Sequence, residues 1–195
     1  MSNFNKDWYI SEKIDGSSWT AFLHKTTKFG IFPKWDFGVC SRNIWLKTPT
    51  DSNWWKVAKK YDIEKKLRKL GTEIVIQGEV INSNIQKNKY KVTEPDLFIF
   101  TIVENGQRVS IDRMKELCQT LELKMVPIIN EHFNPLDTFG NITDIPTVVQ
   151  TMVKMSEGKS KLADIHREGL VMRLIENPNI SLKIINPQFL LKYEE

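Results

Sequence analysis

The sequence predicts a mixed α+β domain in which strands come in hairpins and helices are inserted between them. Three observations carry this. Apolar–polar alternation of period two recurs along the chain, as in Ser18-Trp19-Thr20-Ala21-Phe22-Leu23. Gly-containing turns separate several such runs, notably Asp15-Gly16 and Asn105-Gly106. Stretches with an approximately helical apolar stripe interrupt the strands, and no internal repeat or low-complexity tract is present.

In chain order, Trp8-Tyr9-Ile10 reads as a strand and Ser18–Leu23 as a second, with Asp15-Gly16 as the turn between them and Gly16 supplying a positive φ. Phe29-Gly30-Ile31-Phe32 and Phe37-Gly38-Val39-Cys40 are strand pieces around Pro33. Thr48-Pro49-Thr50-Asp51 breaks the chain and places Thr50 or Asp51 to cap a helix. That helix is predicted over 53–70, with Trp54, Val57, Ala58, Tyr61, Ile63 and Leu67 as its apolar stripe and Gly71 closing it. Its lysines form either a solvated face or an approach to nucleic-acid phosphates. Strands follow over 73–81 and 97–103, the latter rich in β-branched and aromatic residues. Asn105-Gly106 turns into Val109-Ser110-Ile111, and a helix over 112–123 carries Met114, Leu117, Cys118 and Leu121 on one side. Val126–Ile129 is extended and 134–145 loop-like. Asp144-Ile145-Pro146 starts a helix over 147–155, with proline in the first turn. The last strands lie over 169–175 and 181–185.

Composition sets outer bounds. A chain of 195 residues with 41% hydrophobic and 27% charged residues can bury a core without disulfide or metal staples. Its two cysteines, Cys40 and Cys118, have no ligand-like spacing, so reduced thiols in a cytoplasmic setting (a host cytoplasm for a viral chain) are expected. No apolar run approaches the roughly 18 residues of a membrane span, so no membrane partner is expected. A net charge of +4 permits an anionic partner without requiring one.

The chemistry gathers in five separated segments. Lys13 stands two residues before Asp15-Gly16 between apolar runs. A lysine becomes a nucleophile when desolvation or neighbouring cations favour its neutral amine. Lys13 is either such a nucleophile or a lysine flanking a common turn. Glu79 sits in an otherwise apolar strand, where a carboxylate needs donors. Phe98 and Phe100 take alternate positions of the next strand, which puts them on one face, as core or as a plate for a planar ring. Glu168 enters an apolar run, and Lys183 interrupts Ser181-Leu182-Ile184-Ile185. Both are either edge ion pairs or members of a site, since a half-buried lysine is costly without an anion. Two lysines, two carboxylates and an aromatic plate are the parts needed to bind a nucleotide and attack its α-phosphorus.

In order along the chain, these segments resemble the motifs of the covalent nucleotidyltransferase superfamily of RNA ligases, DNA ligases and mRNA capping enzymes. Lys13-Ile14-Asp15-Gly16 is similar to its Lys-x-Asp-Gly nucleophile motif, and Ser41-Arg42-Asn43 to the next short motif, whose Arg contacts substrate. Gly78-Glu79 matches the strand that offers a carboxylate to the ribose, and Asp96–Phe100 the strand whose last Phe stacks on the base. Glu168-Gly169-Leu170-Val171 and Ser181-Leu182-Lys183 match the two closing motifs. The resemblance spans about positions 8 to 193. Within the superfamily it points to the RNA ligase 2-like group. Ser18 stands where DNA ligases and capping enzymes generally carry Arg, and Ile85–Tyr90 is similar to a Gly-Ile-Gln segment, with Asn84 in place of the Gly. Asn186–Lys192 is similar to the end of the domain in a bacterial and phage branch, whereas Ile185 replaces a second lysine found in many relatives, with Lys192 the nearest substitute.

The resemblance implies an α+β nucleotidyltransferase (ATP-grasp-like) domain of mainly antiparallel sheets with flanking helices, extending over the whole chain and leaving no room for an accessory domain. It implies an ATP-dependent RNA ligase using Mg²⁺ or Mn²⁺, with RNA ends or a nicked RNA-containing duplex as substrate and a possible accessory nucleic-acid-binding protein or domain. The alternatives are a GTP-dependent capping-type guanylyltransferase, a DNA ligase, or a non-catalytic RNA-binding relative. Lys13 is implied as nucleophile and Lys183 as the catalytic cation on the phosphates. Glu12, Ile14, Arg42, Glu79, Phe100 and Glu168 are implied to bind the nucleotide, with Glu168 also on metal.

Overall fold

The computed structural model describes residues 3–28, 32–140 and 144–193. Its first strands are β1 (Trp8–Lys13), β2 (Ser17–Lys28), β3 (Phe32–Cys40) and β4 (Trp45–Leu46), followed by helices α1 (Asn53–Lys60) and α2 (Ile63–Leu70). Strand β5 (Ile74–Ile81), a 3-10 turn (Gln86–Asn88), β6 (Asp96–Glu104) and β7 (Gln107–Arg108) lead to α3 (Ile111–Thr120). Then come β8 (Ile128–Phe133), α4 (Pro135–Phe139), α5 (Ile145–Ser156), β9 (Gly169–Leu174), β10 (Ser181–Ile185) and α6 (Pro187–Tyr193). Every pairing of named strands among the described residues is antiparallel, in keeping with the α+β class. The chain forms two compact units, Met1–Ile14 with Val126–Glu195, and Asp15–Met125.

The first unit is built on a four-stranded sheet of order β10-β9-β1-β8. Strand alternation divides its residues between two faces. Trp8 and Ile10 of β1, Leu170, Met172 and Leu174 of β9, and Ile184 of β10 go to the core, where Val148 and Met152 of α5 meet them. Asp144 caps α5 by accepting from the Thr147 amide, and a proline sits in the first turn as expected. The stretch after β8, expected to be loop, contains the short α4. Its Asn134 side chain accepts from the Leu136 amide, with Pro135 in the first turn. Asn-Pro thus acts as a helix start here. Residues 141–143 of that stretch lie outside the described residues.

The second unit is built on a six-stranded sheet of order β4-β3-β2-β5-β6-β7. Trp19, Ala21, Leu23, Val39, Ile74, Ile76, Ile99 and Ile102 are all buried, and α1 and α2 pack against β2, β3 and β5. The alternate residues Ser18, Thr20, Phe22, Cys40, Gln77 and Glu79 are half-buried, so this sheet keeps a second, polar face. Indole N–H groups tie helix to sheet: Trp54 donates to the Ser18 carbonyl at 2.9 Å and Trp19 to the Trp54 carbonyl at 2.9 Å. Pro33 falls within β3, opposite Thr27, in a part of the strand paired only with β2. That edge position spares a ladder bond. The strand piece expected over 29–31 lies outside the described residues.

Three local expectations change. The helix expected over 53–70 is two helices. Asp62 adopts the left-handed region at φ 52 between them, where an Asp is better tolerated than most residues. The apolar stripe runs through the break because α1 and α2 both pack against β2-containing sheet strands. The cap is Ser52, whose side chain accepts from the Trp55 amide, rather than Thr50 or Asp51. Most consequential, β1 and β2 are not a hairpin: β1 pairs with β8 and β9, and β2 with β3 and β5. Gly16 is therefore not a positive-φ turn residue. Close approach is what excludes a side chain, since a Cβ there would lie 2.4 Å from the Val80 carbonyl oxygen.

Gly16→Ala is expected to cost about 1–3 kcal/mol, the usual range for overpacking a tight contact. A lower urea midpoint at unchanged m-value reads this out. A second expectation concerns Asp96 at the start of β6, which accepts from the Tyr61 hydroxyl and, at 2.6 Å, from the Lys124 ammonium. Burial pushes its carboxyl up, but the hydrogen bonds from Lys124 and Tyr61 outweigh this and hold it below its ordinary value of 3.8. The unfolded chain then binds the proton more readily. The contribution to stability is present above the ordinary value and is lost as pH falls through the lower native one. Asp96→Asn should flatten the decline of stability between about pH 5 and pH 2 in denaturation series.

Candidate active site

The site in the first unit follows from register. Lys13 pairs with Gly169, Ser11 with Val171, and Val171 in turn with Lys183. Period-two alternation therefore puts Lys13 and Lys183 on the same face of the sheet, opposite to the face that carries Trp8 and Ile10 into the core. The two lysines are separated by two strand spacings, roughly 10 Å across, and by about 7 Å along the strand. Glu168, immediately before β9, makes an ion pair with the Lys13 ammonium. Their side chains are 22% and 12% exposed, so the pair is partly shielded from water. Gly169 allows β10 to close on it, since a Cβ there would lie 2.1 Å from the Ile184 carbonyl oxygen. Asn186 locks the next turn, with its backbone amide donating to the Glu168 carbonyl at 2.9 Å and its side chain to the Arg167 carbonyl at 2.9 Å. Ile185 pairs with Gly169 and so stands level with Lys13. Lys192 is exposed on α6, with its Nζ 5.5 Å from the Tyr193 ring centre.

Glu12, implied to bind the nucleotide, is held by donors on the core side of the sheet. Alternation turns it to the face opposite Lys13, and it is 1% exposed. One carboxylate oxygen accepts from the Ser160 hydroxyl and the other from the Lys161 amide at 2.8 Å. A buried carboxylate needs such donors, and these pin the segment between α5 and β9 to β1. Ile14 is likewise buried. Neither Ser160 nor Lys161 stood out in the sequence, because a Gly-Lys-Ser-Lys stretch without strand or helix periodicity carries no partner information.

In the second unit, Asp15 is held from two directions. Its amide donates to the Tyr90 hydroxyl at 2.9 Å, and its carboxylate pairs with the Lys89 ammonium. Their side chains are 5% and 8% exposed. The segment bringing Lys89 and Tyr90 is backbone-strained: Gln86, Lys87, Asn88 and Lys91 all have positive φ. Glu79 lies on the half-buried polar face, directly across from Ser18 on one side and Phe98 on the other. Phe100 was expected to share a face with Phe98 by simple alternation. The register shifts between Gln77 and Gly78, whose partners are Thr101 and Ile99, so a β-bulge falls at Phe100 while Ile99 between the two phenylalanines faces the core. Phe98 is buried, with Lys124 5.6 Å from its ring centre, whereas Phe100 is half-buried. Arg42 is exposed in a tight turn in which the Ser41 amide donates to the Ile44 carbonyl at 3.0 Å.

Among the described residues, no three His, Cys, Asp or Glu side chains converge as a metal cage. Glu168 is a hard oxygen donor and fits a cation of the Mg²⁺ type, which takes one or two carboxylates and completes its shell from phosphate and water. Among the described residues, no helix is long and apolar enough to cross a membrane. The Asp15–Lys89 pair gives a direct test. Removing one member of a buried pair leaves an uncompensated charge, so Lys89→Ala is expected to destabilise by about 3–5 kcal/mol. Adding Asp15→Asn should recover part of that loss, measured as the coupling in a double-mutant cycle of unfolding free energies.

Comparison with known proteins agrees with this architecture. A family model described as RNA ligase matches residues 6–193. Among solved structures, a mutant Naegleria gruberi RNA ligase with ATP and manganese superposes with a TM-score of 0.83 at 23% identity, covering 100% of this chain and 54% of that one. Another mutant of that ligase, with AMP and manganese, gives 0.81 at 25% identity, covering 99% and 53%. The same ligase with pyrophosphate gives 0.80 at 24%, covering 97% and 52%. The chain thus spans about half the length of the ligase it matches. No curated protein sequence matches it significantly. On the family match, which takes in nearly all of its length, this chain belongs to the RNA ligase family.

Proposed function

We propose that the chain is an ATP-dependent RNA ligase of the RNA ligase 2-like group, that it constitutes one nucleotidyltransferase domain, and that it works through a covalent lysine–AMP. The observation that carries this is Lys13, paired with Glu168 on the sheet face that also bears Lys183. Glu168 holds the Lys13 side chain at rest, and the amine attacks once its proton is given up. In the first step the Lys13 nitrogen bonds to the α-phosphorus of ATP, the α–β bridging bond breaks, and pyrophosphate leaves. In the second, an oxygen of an RNA 5′-phosphate attacks the same phosphorus, the P–N bond breaks, and Lys13 is regenerated. In the third, a 3′-hydroxyl attacks the activated 5′-phosphate and AMP leaves.

Lys183 offers a fixed positive charge to the phosphoryl oxygens, which gain charge as each bond is exchanged. Glu168 would hold a divalent cation, Mg²⁺ or Mn²⁺, which supplies further charge neutralisation when bound. Glu79 is assigned to the ribose hydroxyls, Phe100 to the adenine ring, Ile14 to the nucleotide and Arg42 to the phosphate or RNA end. Glu12 is assigned to a polar edge of the nucleotide site, with its carboxylate steadied by Ser160 and Lys161. The RNA ligase 2-like assignment rests on Ser18, which puts a small neutral residue across from Glu79. The ATP, AMP and manganese of the Naegleria structures favour adenylylation over guanylylation as the reading for this chain. End-joining is proposed to draw on an accessory nucleic-acid-binding protein or domain.

Incubation with α-labelled ATP and Mg²⁺ or Mn²⁺ should label the wild-type chain on a denaturing gel and leave Lys13→Ala at background. Lys183→Ala should slow labelling by about 10²–10³-fold, the usual cost of one transition-state charge contact. Equal labelling of wild type and Lys13→Ala would sink the assignment, and preferential labelling by GTP would replace ligase by capping chemistry.

A further inference from the structure

Within the second unit, the β3–β4 hairpin carries an exposed aromatic side chain that core packing does not account for. Trp45 is 49% exposed, and its neighbour Ile44 is 62% exposed. A half-exposed tryptophan is unusual for a group with so much apolar surface. Its ring is nonetheless held in place. Phe22 meets it edge-on at 5.7 Å between ring centres and an interplanar angle of 62°. Gly38 makes the space, because a Cβ there would lie 2.7 Å from the Trp45 indole nitrogen and 2.3 Å from the Phe22 ring. Trp45 pairs with Cys40, which pairs with Thr20, which pairs with Gln77. The register therefore places Trp45 on the same polar face of the sheet as Glu79, at its outer edge. Lys47 lies over it, with its ammonium 5.4 Å from the Trp45 ring centre, and the exposed Arg42 stands three residues earlier in the chain.

We propose that Trp45 is a stacking plate for an unpaired base of a single-stranded RNA end, with Lys47 and Arg42 taking the adjoining phosphates. This rests on the RNA-ligase reading for the identity of its ligand. A half-exposed indole with cations nearby is what sequence-tolerant single-strand binding uses, because every base has a π-face and every nucleotide a phosphate. Lys47 now covers the ring from an unbranched, flexible stem. An arriving base displaces it, and the ammonium then meets a phosphate instead. The occupant is an anionic strand rather than an apolar protein segment, since a lysine lies over the aromatic surface and the turn leading into the strand exposes an arginine.

The test is equilibrium binding of a dye-labelled, 5′-phosphorylated single-stranded RNA of random sequence, at fixed moderate salt, without ATP or divalent metal. Because no chemistry takes place, the result does not depend on whether Lys13 is adenylylated. The variants are Trp45→Leu, which still covers Phe22 but has no π-face, and Trp45→Phe, which keeps an aromatic plate. Both are first matched to wild type by thermal midpoint. Trp45→Leu should bind about tenfold more weakly, as expected for loss of one stacked base, and Trp45→Phe within about threefold of wild type. Lys47→Ala should shallow the dependence of affinity on salt by about one counterion's worth. Equal RNA affinity of wild type and a folded Trp45→Leu, or no RNA binding by wild type, overturns the proposal. A chain that binds RNA through Trp45 but forms no AMP adduct upholds it and removes the ligase reading instead.

Discussion

Strand β1 has to satisfy two demands on alternate residues, and the rest of the site depends on that alternation. Trp8 and Ile10 are drawn into the core of the first unit, each removing a large apolar side chain from water. Period two then leaves Lys13 on the opposite face, and pairing with β9 and β10 brings Glu168 and Lys183 to the same side. A slip of one residue in the β1–β9 register would exchange the two faces, burying Lys13 and exposing the core positions. Hydrophobic burial thus sets the register, and the register places Lys13. Glu12 is the cost of this arrangement. As the neighbour of Lys13 it must turn inward, and its carboxylate is tolerated there because Ser160 and the Lys161 amide meet both oxygens.

How much of this was legible in the sequence depended on whether a segment's partner is local. Strands β5, β6, β9 and β10 could be read because their alternation or apolar content is strong over several residues. The Asn105-Gly106 turn was equally plain, with both residues at positive φ joining β6 to β7. Asp15-Gly16 looks the same in sequence yet joins strands of different sheets, because partner choice there is decided by residues far away: Gly169 for Lys13 and Val80 for Ser17. The break at Asp62 was hidden for a related reason. An apolar stripe tells which face is buried but not whether the backbone is continuous, and α1 and α2 share that stripe.

The site residues divide along the same line. Lys13, Glu79, Glu168 and Lys183 could be picked out as charged residues placed against apolar strand patterns. What holds them could not, because the partners are supplied by segments with no periodicity. Lys89 and Tyr90, which fix Asp15, lie next to a run of left-handed residues that no propensity would place there. The bulge at Phe100 is likewise a pairing event between β5 and β6 rather than a property of the six aromatic and aliphatic residues around it.

Ile185 acquires a meaning from the register that it lacks as a bare substitution. It sits across β9 from Lys13, on the same face and at the same level. A lysine there would have added a further cation roughly 10 Å from Lys13, measured as two strand spacings. At an effective dielectric of about 20, two unit charges at that distance interact by roughly 1–2 kcal/mol, enough to matter for both a transferring phosphoryl group and a neighbouring amine. With isoleucine in that place, the lysine that β10 contributes to this face is Lys183, two pairing positions further along the strand. Lys192 belongs to α6 and packs over Tyr193, so it is no direct replacement in the sheet. In the proposed reaction a bound divalent cation would add to the neutralisation that Lys183 supplies, and Glu168 is the group on that face with the chemistry to hold it.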